Sequence, residues 1–185
     1  MAKTLAEEIA AFSAALSYES IPDLVLGKCK ELVLDSVGCA LGGVSSEPAR
    51  IVGEVMKALG GVGESTVIGS KRRLPVTAAA VVNGVMLRYL DFNDTDYGTK
   101  TGGHHSEILP CALAVGERQR ASGRDLLDAI VIGYEIQCAF TDTIDFFSAG
   151  LHGVTLGAVA APAVAGKLLK LDVKRMANAI GLSCT

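Results

Sequence analysis

Apolar residues recur along this chain at intervals of three and four, in runs divided by glycine pairs, serines and aspartates. Leu5, Ile9, Phe12 and Leu16 line one side of a first helix. A second opens near Pro22, where a missing N–H costs little. It carries Leu24, Val25, Cys29, Leu32, Val33, Val37, Ala40 and Leu41 on one face, up to a stop at Gly42-Gly43. Ser45 or Ser46 caps a third, whose Ile51, Val52, Val55, Met56 and Leu59 are expected to face inward. Residues 64–68 favour a short extended piece, and 71–74 a charged, exposed loop. Pro75 opens a fourth helix to about Leu90, in which Ala78, Ala79, Ala80 and Gly84 leave room for a close neighbour. A fifth starts near Ser106 and ends before Ser122-Gly123. A sixth starts at Asp125 with the stripe Leu126, Leu127, Ile130, Val131 and Tyr134. The polar-poor stretch 153–169 predicts a central, buried helix, and Asp172 caps the last one. The spacing predicts an all-α, bundle-like domain of six or seven helices with no internal boundary across 1–185.

With 185 residues, 50% of them apolar, the chain has material for one sizeable core. Trp is absent, so alanine, valine, leucine and glycine must fill it, which favours helices that approach closely. A net charge of -3 and a single basic run, Lys71-Arg72-Arg73, argue against nucleic acid as a partner. The longest uncharged apolar stretch, 153–166, is shorter than the ~18–20 residues a membrane span needs. The N-terminus carries no signal-peptide pattern. Cys29, Cys39, Cys111, Cys138 and Cys184 form no C-x-x-C pair. They read as reduced thiols, buried as small hydrophobes in a cytoplasmic protein.

One polar break concentrates the chemistry. Between the fourth and fifth helices, Asp91, Asn93, Asp94, Thr95 and Asp96 precede Gly102, Gly103, His104, His105, Ser106 and Glu107. His152 stands at a second break. An imidazole exchanges protons near neutrality, so His104 and His152 are candidates for acid–base work at carbon, with Asp91 to orient a ring and fix its tautomer. The competing reading is plainer: a histidine at a helix start is often a cap or a surface residue. A metal is a further alternative, because Asp91, Asp94, Asp96, His104 and His105 all carry ligand atoms, although their spacing matches no common ligand motif. Asp94 and Asp96 otherwise read as solvated loop residues or caps, as do Asp142 and Asp145. Gly102-Gly103 is a weak signal for an anion nest, and there is no glycine motif for a nucleotide.

Asp91-Phe92-Asn93-Asp94-Thr95, followed by His104-His105-Ser106-Glu107-Ile108-Leu109-Pro110, resembles the D-F-[ND]-D-T … H-P-S-D-x-x-P pattern of the MmgE/PrpD family. That family includes 2-methylcitrate dehydratase, cis-aconitate decarboxylase and iminodisuccinate epimerase. The stretches 37–43, 129–136 and 151–157 are similar to the family in the same order. The resemblance implies a large helical domain with a smaller α/β lid domain. It also implies action on small di- and tricarboxylic acids without metal or organic cofactor, by homodimers in the cytosol or in mitochondria.

On this resemblance His104 is the acid/base, Asp91 its orienter and Thr95 a hydrogen-bond donor to substrate, while His152 positions or protonates. Asn93, His105 and Lys100 are expected to touch the substrate, Lys100 being the cation nearest the motif. The expected activity is that of a lyase of the 2-methylcitrate dehydratase type. A cis-aconitate-type decarboxylase or an iminodisuccinate-type epimerase is the alternative within the family, and a catalytically silent helical association module the alternative outside it. Two departures stand out. His105 occupies the place of the pattern's proline. Family members are also more than twice as long, so a site lysine, a further histidine and the lid are expected beyond Thr185, and this chain by itself is expected to be inactive.

Overall fold

Capping side chains set four of the eight α-helix starts in the structure, a computed structural model that describes residues 3–185. Helix α1 (Leu5–Ala15) starts at a reciprocal box in which Thr4 accepts from the Glu7 N–H and Glu7 accepts from the Thr4 N–H. Helix α2 (Asp23–Gly43) follows Pro22, and α3 (Glu47–Leu59) is capped by Ser46. Next come α4 (Val76–Tyr89) and α5 (Leu109–Gln119). A second box, Ser122 with Asp125, opens α6 (Gly123–Thr143). The last two are α7 (Gly157–Leu168) and α8 (Val173–Ser183), the latter capped by Asp172. Both α5 and α7 are entered through a tight 3₁₀ turn, His105–Ile108 and Gly153–Leu156. His104 and His152 therefore occupy the same local position, the residue just before such a turn.

The all-α expectation holds, with eight α-helices among the described residues rather than six or seven. One small hairpin interrupts them: β1 (Ser65–Thr66) pairs antiparallel with β2 (Arg73–Leu74). The loop expected over 71–74 thus ends in a strand. Leu74 is the one apolar side chain of that run, and the hairpin buries it against α4.

Helices α5, α6 and α7 make the centre. α6 lies along α7, and α5 bridges from α7 to α4. α2 and α3 pack on α4, whereas α1 and α8 pack on α7. Ile108, Leu109, Ile130, Ile132 and Val164 are fully buried between these layers. α7 takes the central place expected of it, with Ala160, Ala163 and Val164 wholly enclosed. The scarcity of aromatics shows in the packing. α2 approaches α4 so closely at Gly43 that a Cβ there would collide with the Met86 carbonyl. Lys167 of α7 joins the outer layer by donating to the Ser13 and Leu16 carbonyls at 3.0 and 2.6 Å, which caps the C-terminus of α1.

The inward face expected of α3 is wider than the face its neighbour covers. Ala49 and Gly53 are buried and Val52 and Met56 half-buried, but Ile51, Val55 and Leu59 are exposed. Leu24 and Leu41 of α2 are exposed as well, while Leu26, Cys29, Cys39 and Ala40 form its buried side. All five thiols are free. Cys29 and Cys39 are buried as expected, Cys111 and Cys138 half-buried, and Cys184 exposed. No helix among the described residues is long and apolar enough to cross a membrane.

Gly43→Ala is expected to cost roughly 1–3 kcal/mol, because a backbone carbonyl cannot yield as a side chain can. The measurement is a lowered urea midpoint with an unchanged slope.

Candidate active site

Helix α4 stops where Asp91 adopts a left-handed backbone, φ 49°, a region aspartate tolerates better than most residues. The chain then doubles back, and Asp94 gathers it. Both carboxylate oxygens of Asp94 accept from the Ser106 N–H at 3.2 Å, which satisfies the turn leading into α5. Tyr134 of α6 donates its hydroxyl to the same carboxylate at 3.0 Å. Burial, and next the negative Asp94, push the Tyr134 hydroxyl well above the ordinary tyrosine range, so it remains a donor. Beneath, Asn93 is 4% exposed and bridges Arg88 and Ser106, accepting from the Arg88 guanidinium at 2.7 Å and donating to the Ser106 hydroxyl at 2.8 Å.

The Asp94 carbonyl lies 2.7 Å from His104 Nδ1. A carbonyl only accepts, so the ring proton sits on Nδ1 and the lone pair of neutral His104 on Nε2. The Thr95 hydroxyl lies 3.5 Å from the same Nδ1. Asp91 was expected to fix this tautomer and does not. Its carboxylate stands 4.0 Å from Nε2, the free nitrogen, and is held 3.2 Å from Arg88.

His152 has the opposite polarity. Its Nδ1 accepts from the Val154 N–H at 3.3 Å, so the neutral ring carries its proton on Nε2. The ring stands edge-on to Phe147, with centroids 5.7 Å apart. The two histidine segments meet main chain to main chain: a Cβ on Gly153 would collide with the Gly102 carbonyl and press on Gly103 Cα. Glu107 senses both rings. It is 18% exposed and 3.2 Å from Arg88 Nε. Burial pushes its carboxyl up, while Arg88, His104 and His152 pull it down, and burial prevails.

His105 faces the other way. It is 2% exposed and donates from Nε2 to Asp96 at 3.0 Å, and Thr141 of α6 donates to the same oxygen at 2.9 Å. Asp96 also pairs through its backbone with Gly103, at 2.8 and 3.0 Å. The intervening turn is tied to the end of α6 by Lys100 and Thr101 amides on the Thr141 carbonyl and by Thr99 on Asp142. Burial and neighbouring carboxylates, Asp96 foremost, push the Cys138 thiol beside His105 up to about 11.

The structure thus brings His104, His152, Asp91 and Thr95 to one region. Asn93 and His105 are enclosed, with their polar groups engaged inside the protein. Lys100 bears on Asp145 instead, and no hydrogen bond or ion pair among the described residues joins its ammonium to His104. The cation at the site is Arg88, which sequence reasoning missed. Its signal was its place in the last turn of α4, three residues before Asp91. Glu107 was also missed, although it stands within the H-P-S-D-like run. Asp94 and Asp96, read as solvated loop residues or caps, are the two fixed points of the loop.

The model of the MmgE/PrpD N-terminal domain matches residues 7–185. The chain belongs to the MmgE/PrpD family. Among its relatives, a cis-aconitate decarboxylase of Homo sapiens is 30% identical over 99% of this chain and 40% of its own length. A 2-methylcitrate dehydratase of Cupriavidus necator is 31% identical over 90% of this chain and 36% of its own length. That of Escherichia coli is 29% identical over 91% and 37%. The chain therefore spans well under half the length of these MmgE/PrpD relatives, which are lyases.

Glu107 gives the MmgE/PrpD site a testable pH signature. Its carboxyl is raised in the folded state, so its contribution is full below the ordinary carboxylate range and lost as pH rises through its raised pKa. Glu107→Gln keeps an acceptor for Arg88 and cannot ionise. Its stability relative to wild type is expected to rise as pH climbs from the ordinary carboxylate range, about pH 4, through the raised pKa of Glu107, in paired urea titrations.

Proposed function

We propose that the protein carrying this chain is a lyase that takes a proton from carbon of a small di- or tricarboxylic acid and expels a hydroxyl, in the manner of a 2-methylcitrate dehydratase. The observation that supports this most is the complementary polarity of the two imidazoles, a lone pair on His104 Nε2 and a proton on His152 Nε2, on segments in backbone contact. His104 Nε2 accepts the proton as the C–H bond breaks, its electron pair becomes the C=C bond, and the C–O bond opens. His152 holds the departing hydroxyl by a hydrogen bond from Nε2. The hydroxide then takes up the proton His104 acquired and leaves as water, which restores both rings. Thr95 donates to a carboxylate or hydroxyl of the substrate, and Asp91 steadies the imidazolium across 4.0 Å. The chemistry is proton transfer coupled to C–O cleavage, with no net redox change, and calls for no organic cofactor or metal at the imidazoles. A carboxylate placed where the C–H bond would lie turns the same site to decarboxylation, and return of the proton to the opposite face turns it to epimerisation. We place this enzyme in the cytoplasm as a homodimer.

The exposed stripe Ile51, Val55 and Leu59 supports a second reading, in which the chain is a silent helical module that associates through apolar faces. Size-exclusion chromatography with a turnover assay on the full-length protein separates the two, since a stable dimer of the full-length protein without activity on any acid favours the module. For the enzyme, turnover is measured with 2-methylcitrate, citrate and cis-aconitate. His104→Ala is expected to lower kcat about 10²–10⁴-fold. An unchanged rate would remove His104 from the mechanism.

A further inference from the structure

The face of the loop opposite His104 holds a group of side chains that the proposed elimination does not use. A ring nitrogen of His105, a carboxylate oxygen of Asp96 and the Cys138 sulfur all lie within 4.8 Å of one another, and His105 Nε2 is 3.0 Å from Asp96. They are the one such trio of possible ligands among the described residues. We propose that Asp96, His105 and Cys138 bind a zinc ion that joins the loop to α6.

Three independent observations carry this. The first is the donor set. One imidazole, one carboxylate and one sulfur form a borderline-soft set that suits Zn²⁺ and not Mg²⁺ or Ca²⁺, which seek oxygen alone. Tetrahedral zinc with bonds of about 2.0–2.3 Å holds its donors roughly 3.3–3.8 Å apart. The His105–Asp96 pair, at 3.0 Å, opens slightly to admit the ion, and the sulfur closes in. The second is preparation of the ligands. His105 is buried, Thr141 already donates to Asp96 as an outer-shell partner does, and Gln137 donates to the His105 carbonyl at 3.0 Å. The third is the field. The trio lies in a cleft of about 490 Å³ walled by Glu31, Asp35, Asp94 and Asp96 against a single Lys28. Such a wall concentrates a cation. Thr95, which stands 3.5 Å from His104 Nδ1, lines the same cleft, so the ion would lie beside the imidazole site.

Binding balances simply. The ion replaces the His105 Nε2 proton, which passes to Nδ1, and the thiol releases its proton to solvent. Three protein ligands leave the fourth position facing the cleft, for water. Asp96 and His105 come from the loop and Cys138 from α6, so the ion staples together the two elements that Thr99 and Thr101 already hold by their amides. A proline at 105 would supply no ligand, so the site belongs to chains with histidine there.

The test uses the full protein, stripped by chelator and dialysed, then titrated with Zn²⁺ alone and with Co²⁺ alone. One equivalent of Co²⁺ is expected to give tetrahedral visible bands with a thiolate charge-transfer band. Zn²⁺ at about a hundredfold over its Kd is expected to raise Tm by roughly 5–10 °C. Cys138→Ser loses the charge-transfer band, and His105→Gln weakens binding more than roughly a hundredfold. Cys111→Ser and His104→Ala keep the wild-type spectrum, so failure of this site and failure of the imidazole mechanism are told apart. A cobalt spectrum of the wild type without a thiolate band, absence of stoichiometric binding, or binding that survives both ligand variants overturns the proposal.

Discussion

Everything at the helix junction depends on what Asp94 does with its two ends. Its carboxylate takes the Ser106 N–H and the Tyr134 hydroxyl, which fastens the loop to the start of α5 and the middle of α6. Its carbonyl takes the His104 ring proton. A carboxylate so placed satisfies amides that the entry to α5 leaves without helical partners. A carbonyl so placed makes the choice of tautomer a consequence of the backbone. Without Asp94 the three elements would have to find separate anchors, and His104 would be free to present either nitrogen. Asn93 and Arg88 lie beneath it as a second layer, with Glu107 as the counter-charge for the guanidinium.

The loop has two chemical faces because consecutive residues alternate across it. His104 turns to the side shared with His152, and His105 to the side shared with Asp96 and Cys138. The first side carries Arg88, paired with Asp91 and Glu107. The second faces a cleft walled by Glu31, Asp35, Asp94 and Asp96 with Lys28. Two histidines adjacent in sequence thus have different partners, and a reading of the sequence that treats them as one cluster misassigns half of it.

Much of the framework was legible in the chain. Ser46 and Asp172 announce helix starts because capping is local, and the alanines of α4 and α7 announce close packing because small side chains leave no other way to fill a core. Asp125, expected to start the sixth helix, is the third residue of α6, whose cap is Ser122. The all-α class and the placement of Cys29 and Cys39 follow from period alone. What stayed hidden was tertiary. The exposure of Ile51, Val55 and Leu59 depends on how much of α3 its neighbour covers, which no local pattern records. Leu74 is buried only because a hairpin turns it inward. Asp94 and Asp96 look solvated in sequence since their partners, Tyr134 and Thr141, arrive from α6 some forty positions later. Lys100 stands four residues before His104 yet bears on Asp145, whereas Arg88, three residues before Asp91, reaches both Asp91 and Glu107 from the end of α4.

The contact between Gly153 and the Gly102-Gly103 backbone has a wider consequence. With no side chain interposed, the separation of the two imidazoles is inherited from peptide geometry, which varies little from one sequence to another. The side chains around them can then drift while the spacing of the two histidine-bearing segments is kept. Variation at the rim of such a junction is separated from variation at its centre.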